Sequence, residues 1–342
     1  MEKYIKKIVN KENLSLAEAE EAMMLIMEGK ASEAQIGSFL TAMRMKGETV
    51  EEITASAKVM RKMCNHLEVH GDVMDIVGTG GDGVGTFNIS TVSSFVVAAT
   101  GIKVAKHGNR SVSSKCGSAD VLESLGARLS LSPMENLQLL QDIGICFMFA
   151  QSYHGCMKYA AKPRRELAIR SIFNILGPLA NPAYANLQLL GVYDEKLILP
   201  MAKVLVNLGV KRAMVVCGLD GLDEVSLTTK TIACEIRDGK LNSFFIEPEM
   251  LGLKRCHIQD LVGGEARKNA DIALSILRNE EKGPKTDMVI LNSGFAIYIG
   301  LGDRNLRECI QLAREMIEGG KALEKLNDFL VATHKVGEGL CI

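Results

Sequence analysis

The chain has 342 residues, with 40 Lys and Arg against 41 Asp and Glu, 47% hydrophobic residues and 24% charged ones. At roughly 150 residues per domain this length predicts about two domains, and the mix is that of a folded globular protein, which excludes a disordered chain and a fibrous repeat. A formal net charge of -1 gives no bulk attraction to nucleic acid or an anionic membrane, and 5% aromatics without any Trp leave little for single-stranded bases to stack on.

The opening run Met1-Glu2-Lys3-Tyr4-Ile5-Lys6-Lys7-Ile8 alternates charged and apolar residues and lacks the apolar core of a signal peptide. No apolar run approaches the ~20 residues of a membrane span, so a cytoplasmic protein is expected. Nine cysteines without a Cys-x-x-Cys pair or a zinc spacing are expected to be plain thiols in a reducing compartment. Three capping boxes then recur: Ser15 with Glu18, Ser32 with Gln35, and Thr49 with Glu52. Gly29 and Gly47 stand where the first two helices should close. These signals predict a small all-α domain over residues 1–68, with Met23 to Met27 as its core or a helix–helix interface.

From residue 72 the pattern changes to short apolar runs ending in glycine loops, alternating with helical stretches, which predicts a mostly parallel sheet flanked by helices. The strand candidates are Val73 to Val77, Ile102 to Ala105, Ile145 to Phe149, Leu187 to Val192, Arg212 to Cys217 and Asp287 to Leu291. Helices are expected over 90–100, 118–125, from the capping box Ser132 with Glu135, and over 195–208, 264–279 and 303–332; the stretch 228–247 suits antiparallel strands. The less regular segment 157–182 carries Arg164, Arg165, Arg170 and Gly177-Pro178. It is expected to pack back on the N-terminal helices, leaving 69–156 and 183–342 as the α/β domain.

Directly after the first strand candidate comes Gly78-Thr79-Gly80-Gly81-Asp82-Gly83-Val84-Gly85-Thr86-Phe87-Asn88-Ile89-Ser90-Thr91. Such glycines let the backbone approach a ligand and turn its N–H groups inward, and Ser90 and Thr91 then open a helix whose free amides favour an anion. A Walker loop is excluded, since no Gly-Lys-Ser/Thr follows. A dinucleotide site is also disfavoured, because no Asp or Glu lies between Asp82 and Asp120 to meet a ribose. That acid-free interval holds Lys103, Lys106, Arg110 and Lys115 around the run Lys106-His107-Gly108-Asn109-Arg110-Ser111-Val112-Ser113-Ser114, with Ser118 beyond. It follows the second strand candidate, so it should meet the glycine loop at one sheet edge and form a polyphosphate cradle. His107 reads equally well as a structural histidine. After Cys217, the loop Gly218-Leu219-Asp220-Gly221-Leu222-Asp223-Glu224 offers adjacent carboxylates suited to Mg2+ shared with phosphate and water. No nucleophile–base pair stands out, which favours a reaction carried by positioned phosphates and a metal-neutralised leaving group, such as loss of pyrophosphate from a phosphorylated ribose.

Taken together, Gly78-Thr79-Gly80-Gly81-Asp82, Asn88-Ile89-Ser90-Thr91, Lys106-His107-Gly108-Asn109-Arg110, Arg164, Gly177-Pro178 and Asp223-Glu224 resemble the anthranilate phosphoribosyltransferase family. The resemblance implies transfer of phosphoribose from phosphoribosyl pyrophosphate to the amine of anthranilate, a homodimer joined through the helical domain, two Mg2+ ions per site, and no nucleic-acid or membrane partner. It places phosphoribosyl pyrophosphate on Gly78, Gly81, Asp82, Thr86, Asn88, Ile89, Ser90, Thr91, Lys106, His107, Gly108, Asn109, Arg110, Ser111, Val112, Ser113, Ser114 and Ser118. Anthranilate falls on Gly78, Asn109 and Arg164, and Mg2+ on Ser90, Asp223 and Glu224. Read by itself, Arg164 suits a surface ion pair with Glu166 better than substrate binding. The chain departs from the family in having Gly155-Cys156 after His154, where Pro-Ala is common, and in placing Pro163 directly before Arg164. A pyrimidine nucleoside phosphorylase-like pentosyltransferase, an NADP oxidoreductase and a non-catalytic nucleic-acid-binding relative are the competing readings.

Overall fold

The computed structural model describes residues 1–111 and 115–337. The side chains of Ser15, Ser32 and Thr49 accept from the backbone N–H groups three residues on, and Glu18, Gln35 and Glu52 reach back to the cap amides, opening helices Leu16–Met27, Glu33–Lys46 and Val50–Lys62. Each box satisfies amides that a helix start leaves unpaired. A further helix, Glu2–Val9, precedes them; its N-cap is Met1, so no capping signal marks it in the sequence. Helix Lys158–Leu167 packs on Glu33–Lys46 and Leu16–Met27, and Phe173–Leu176 packs on Val50–Lys62.

The sheet has seven strands: β1 Met74–Gly78, β2 Val104–Gly108, β3 Ile145–Phe149, β4 Leu187–Gly191, β5 Arg212–Gly218, β6 Thr231–Arg237 and β7 Lys240–Ile246. Their spatial order is β3-β2-β1-β4-β5-β6-β7. The first five run parallel, and β6 and β7 add antiparallel at one edge. Side chains alternate faces along a strand, so Met214 and Val216 of β5 join one buried core while Ala213, Val215 and Cys217 join the other. The first core lies under helices Ile89–Ala99 and Pro284–Leu301; the second joins the sheet to the N-terminal helices and to helix Ile198–Asn207.

Three expected elements differ. The second strand is Val104–Gly108 rather than Ile102 to Ala105, so Lys106, His107 and Gly108 lie on the strand itself and not in the loop after it. Asp287 to Leu291 is helical, inside Pro284–Leu301, which Gly283 caps and Pro284 opens. That helix is buried on nearly every side, and a short continuous apolar run does not distinguish a buried helix from a strand. The stretch 303–332 is two helices, Leu306–Glu318 and Lys321–Lys335, separated at Gly319 and Gly320, the latter at φ +75°.

The chain leaves β1 toward β2 and β3 on one side and returns on the other side with β4 and β5. Ligands of open α/β sheets bind beyond the strand C-termini at such a reversal. The loops after β1, β2 and β5 all open on that edge.

Candidate active site

The glycine loop departs from β1 at this reversal. Gly80, Gly81, Gly83 and Gly85 have φ between +68° and +79°, a backbone region that residues with a Cβ rarely enter. Gly78 has a different use from the ligand approach expected of it. A Cβ there would lie 2.1 Å from Asp223 Oδ2, and one on Gly191 of β4 would lie 1.6 Å from the Asp223 carbonyl oxygen. Both glycines therefore make room for the Asp223 turn. Asp223 Oδ2 accepts the Gly80 N–H at 2.6 Å. The far end of the loop is tied down where Thr86 bridges Val262 and the Phe87 N–H donates to the Leu261 carbonyl at 3.2 Å.

Ser90 and Thr91 sit in the first turn of helix Ile89–Ala99. The Ser90 backbone faces the Glu224 carboxylate and helps to hold its pKa down. Ser90 Oγ accepts from Lys106 Nζ at 3.2 Å, and the same ammonium donates to the Ile76 carbonyl at 2.5 Å. Lys106 is only 4% exposed; burial lowers its pKa, opposed by the Asp75 and Glu224 carboxylates. The Ile89 side chain is buried in the core, and the Thr91 hydroxyl has no hydrogen-bond partner and borders a small void beneath the helix. Their backbone N–H groups are not free as expected, because they donate to the Phe87 carbonyl at 2.8 Å and the Asn88 carbonyl at 3.1 Å and would have to exchange these partners for an anion. Asn88 donates to the Cys116 carbonyl at 3.3 Å, which brings the loop after β2 alongside the glycine loop.

Asp223 and Glu224 are recessed at the base of the cleft. Burial pushes Asp223 up to about 6, with repulsion from Asp82 adding to it. Burial and then Asp223 hold Glu224 well above the carboxylate range, with Lys106 pulling it down. Among the described residues no cation offsets Asp223, and the two carboxylates crowd together partly withdrawn from water. An all-oxygen set of this kind fits a hard divalent cation such as Mg2+. Among the described residues no group of three or more His, Cys, Asp or Glu side chains could enclose a metal; further ligands would have to come from phosphate, water or a hydroxyl such as that of Ser90.

The cationic interval is acid-free in sequence but not in space. Helix Ser118–Ser124 carries Asp120 and Glu123 back to Arg110, whose guanidinium meets Glu123 at 2.5 and 2.7 Å and Asp120 at 3.0 Å, and lies over the Phe149 ring. The Ser111 N–H also donates to Asp120, and Ser118 Oγ donates to the Asn109 carbonyl at 3.3 Å. A Cβ on Gly108 would lie 2.3 Å from Ser118 Oγ. Val112, Ser113 and Ser114 fall outside the described residues.

His107 is built into the interior. Its N–H donates to Asp75 at 3.2 Å, its Nδ1 lies 3.3 Å from the Gly177 carbonyl, and its ring centroid is 5.0 Å from that of His154. Burial depresses His107 to about 3 and His154 to about 4, so both rings are neutral. Arg164 closes helix Lys158–Leu167 just after Pro163 and lies over the Phe173 ring at 5.0 Å. Burial lowers its pKa and no carboxylate among the described residues opposes this, so the surface pair with Glu166 does not form.

The sequence reading overlooked Asp75 and Asn181. Asp75 is buried, pushed up to about 6 by desolvation, and accepts from His107 and from Asn181 Nδ2 at 2.8 Å. Asn181 also donates to the Ala105 carbonyl at 2.9 Å, tying the turn at 177–182 to β1 and β2. The available signal was a carboxylate in the middle of a strand candidate, a position that stays ionised only with dedicated partners.

Comparison with known proteins agrees with this geometry. Residues 2–64 match the glycosyl transferase family, helical bundle domain, and residues 70–323 match the glycosyl transferase family, a/b domain. An anthranilate phosphoribosyltransferase from Ruminiclostridium cellulolyticum is 60% identical over 326 residues, 95% of each chain, and one from Endomicrobium trichonymphae is 57% identical over 331 residues, 97% of this chain and 98% of that one. The crystal structure of the Thermus thermophilus enzyme superposes with a TM-score of 0.92 at 40% identity, covering 97% of this chain and 99% of that one. The Saccharomyces cerevisiae enzyme in complex with PRPP and Mg gives 0.90 at 29% identity and 97% of both chains. The fold is thus shared along 97% of the length with the solved enzymes, and the chain belongs to the anthranilate phosphoribosyltransferase family.

Proposed function

We propose that the chain transfers the 5-phosphoribosyl group of phosphoribosyl pyrophosphate to the amine of anthranilate, releasing pyrophosphate, as a step of tryptophan biosynthesis. The observation that carries this reading is the meeting of three sequence-distant loops: Gly80 with Asp223, Ser90 with Glu224, and Lys106 with Ser90. The backbone amides of 78–91 and the Lys106 ammonium hold the diphosphate, supported by Asn88 and by the run from His107 to Ser111 with Ser118. Asp223, Glu224 and the Ser90 hydroxyl hold Mg2+, two ions per site, which when bound neutralises charge on the departing pyrophosphate. Binding and alignment do the rest, because the ribose carbon becomes cation-like as the diphosphate leaves and needs only a nucleophile in line. Arg164 supplies a planar fork for the anthranilate carboxylate, beside Asn109 and the Gly78 backbone. The neutral His107 and His154 rings add no charge near the acceptor.

Division into a helical unit, 1–68 with 157–182, and an α/β unit, 69–156 with 183–342, is supported by the helix packing described above. Homodimerisation through the helical unit is supported by the exposed apolar side chains of Val9 and Met45 there. A cytoplasmic location accords with the eight described cysteines, all free thiols. Among the described residues no helix is long and apolar enough to cross a membrane. The direct test is anthranilate fluorescence: it should decay only when phosphoribosyl pyrophosphate and Mg2+ are both present, and a constant signal at every Mg2+ concentration would remove the reading.

A further inference from the structure

The turn after β5 is braced from within. The Gly218 N–H donates to the Leu222 carbonyl at 2.9 Å, Asp220 accepts from the Leu222 N–H at 3.2 Å and from Ser226 Oγ at 2.8 Å, and the Ser226 N–H donates to Thr231 Oγ1 at 2.8 Å. Asp223 ties the front of the turn to the Gly80 N–H and Ser226 ties its far end to β6, while the peptide directly after Glu224 is held by Asn292. Asn292 is fully buried on helix Pro284–Leu301, a polar residue directly after the apolar stretch from Met288 to Leu291. Its Oδ1 accepts the Val225 N–H at 2.9 Å, and its Nδ2 donates to the Val225 carbonyl at 3.0 Å and to the Met288 carbonyl at 3.0 Å.

The Val225 N–H belongs to the peptide bond that leaves Glu224. A carboxamide is planar and offers an acceptor and a donor side by side, so gripping both polar groups of one residue fixes the rotation of that backbone as well as its position. A single bond would leave the peptide free to swing. The third bond, to the Met288 carbonyl one turn back, holds the amide plane itself against its own helix.

We infer that Asn292 is a positioning residue that sets the Asp223–Glu224 carboxylates for Mg2+. The inference rests on the metal reading above. Asn292 touches neither substrate nor ion; it acts through the Val225 backbone, and groups that orient metal ligands typically change metal affinity by about 10- to 100-fold when removed. A merely structural role would lower stability and leave the affinity of the folded protein unchanged.

The test is Mn2+ binding in the presence of pyrophosphate, followed through the electron paramagnetic resonance signal of free Mn2+, in wild type, Asn292→Ser and Asn292→Asp. Serine is small enough to leave space for water and loses the two-point grip. Aspartate keeps the acceptor for the Val225 N–H and loses the donor, so it remains available if serine does not fold. The Mn2+ dissociation constant should rise about 10- to 100-fold in the folded variants, with anthranilate binding unchanged. Wild-type affinity in a folded variant would overturn the role of Asn292 while leaving the metal site standing. Failure of the wild type itself to bind Mn2+ with pyrophosphate would instead overturn the metal reading on which the inference rests.

Discussion

The two charged sides of the cleft are held in different ways. On the acidic side, Asp223 is pressed against backbone by the Gly80 N–H, in space that Gly78 and Gly191 leave open, and the half-buried Asp223 and Glu224 repel one another. On the basic side, Arg110 is half-exposed and already paired with Asp120 and Glu123, while Lys106 is buried between two strands and a helix start. The carboxylate pair thus has only Lys106, on the Glu224 side, to offset its charge. The outer cationic loop carries its own counter-ions, and Arg110 must release them before it can meet a phosphate. Lys106 need not.

The largest effect should come from the acidic side. Changing Asp223 and Glu224 together to Ala should lower kcat/KM by about 10³-fold or more, the scale of losing electrostatic stabilisation of a developing charge. The thermal midpoint should fall only slightly, because relief of the repulsion within the pair offsets the loss of the Gly80 N–H bond and of the Glu224 charge facing Lys106. A variant that retains activity would show that the pocket does not serve the reaction. Gly191→Ala probes the same turn without touching a charge. Its methyl would overlap the Asp223 carbonyl, so the turn must shift, and a displacement near 1 Å can cost about 10²-fold in rate; steady-state kinetics beside a melting curve would separate this from misfolding.

The contrast within the basic side is sharper. Lys106→Met should raise KM for phosphoribosyl pyrophosphate by about 10- to 100-fold, since charge-assisted hydrogen bonds contribute roughly 1.5–3 kcal/mol each. Arg110→Met should raise it only a few-fold, because an exposed ion pair is worth at most about 1 kcal/mol. Equal effects would show that both cations reach the diphosphate alike.

The smallest effect is one of pH. The folded-state pKa of His154 lies near 4, below its ordinary value of 6.5. Between those values the unfolded chain binds a proton that the folded chain refuses, so the contribution of this neutral ring is complete above pH 6.5 and is lost as pH falls toward 4. The unfolding free energy of wild type minus that of His154→Asn should be flat above pH 7 and decline through this window. Urea titrations at each pH would measure it. A difference independent of pH would place His154 in contact with water.

Much of this arrangement was legible in advance. Short apolar runs located β1 to β5, with β2 displaced by two residues at its start, and parallel strands must discharge their loops at one edge, so convergence of the Gly78, Lys106 and Asp223 segments followed from the pattern. The environment of Arg110 did not, because its acids lie on the next helix and return only when Gly108 and Gly117 let the chain fold back on itself. Asp287 to Leu291 misled for a different reason: burial on all sides erases the periodicity that separates helix from strand. Asp75 and Asn292 were hidden in plain view as polar residues inside or directly after apolar runs, and their meaning depends on backbone partners that linear order does not reveal.

Diffraction from crystals soaked with phosphoribosyl pyrophosphate and Mg2+ tests the central claim most directly. One ligand should lie with its diphosphate between the Gly78–Thr91 amides and Lys106, and with metal density on Asp223 and Glu224. A diphosphate bound away from Lys106, or metal held without either carboxylate, would contradict the account.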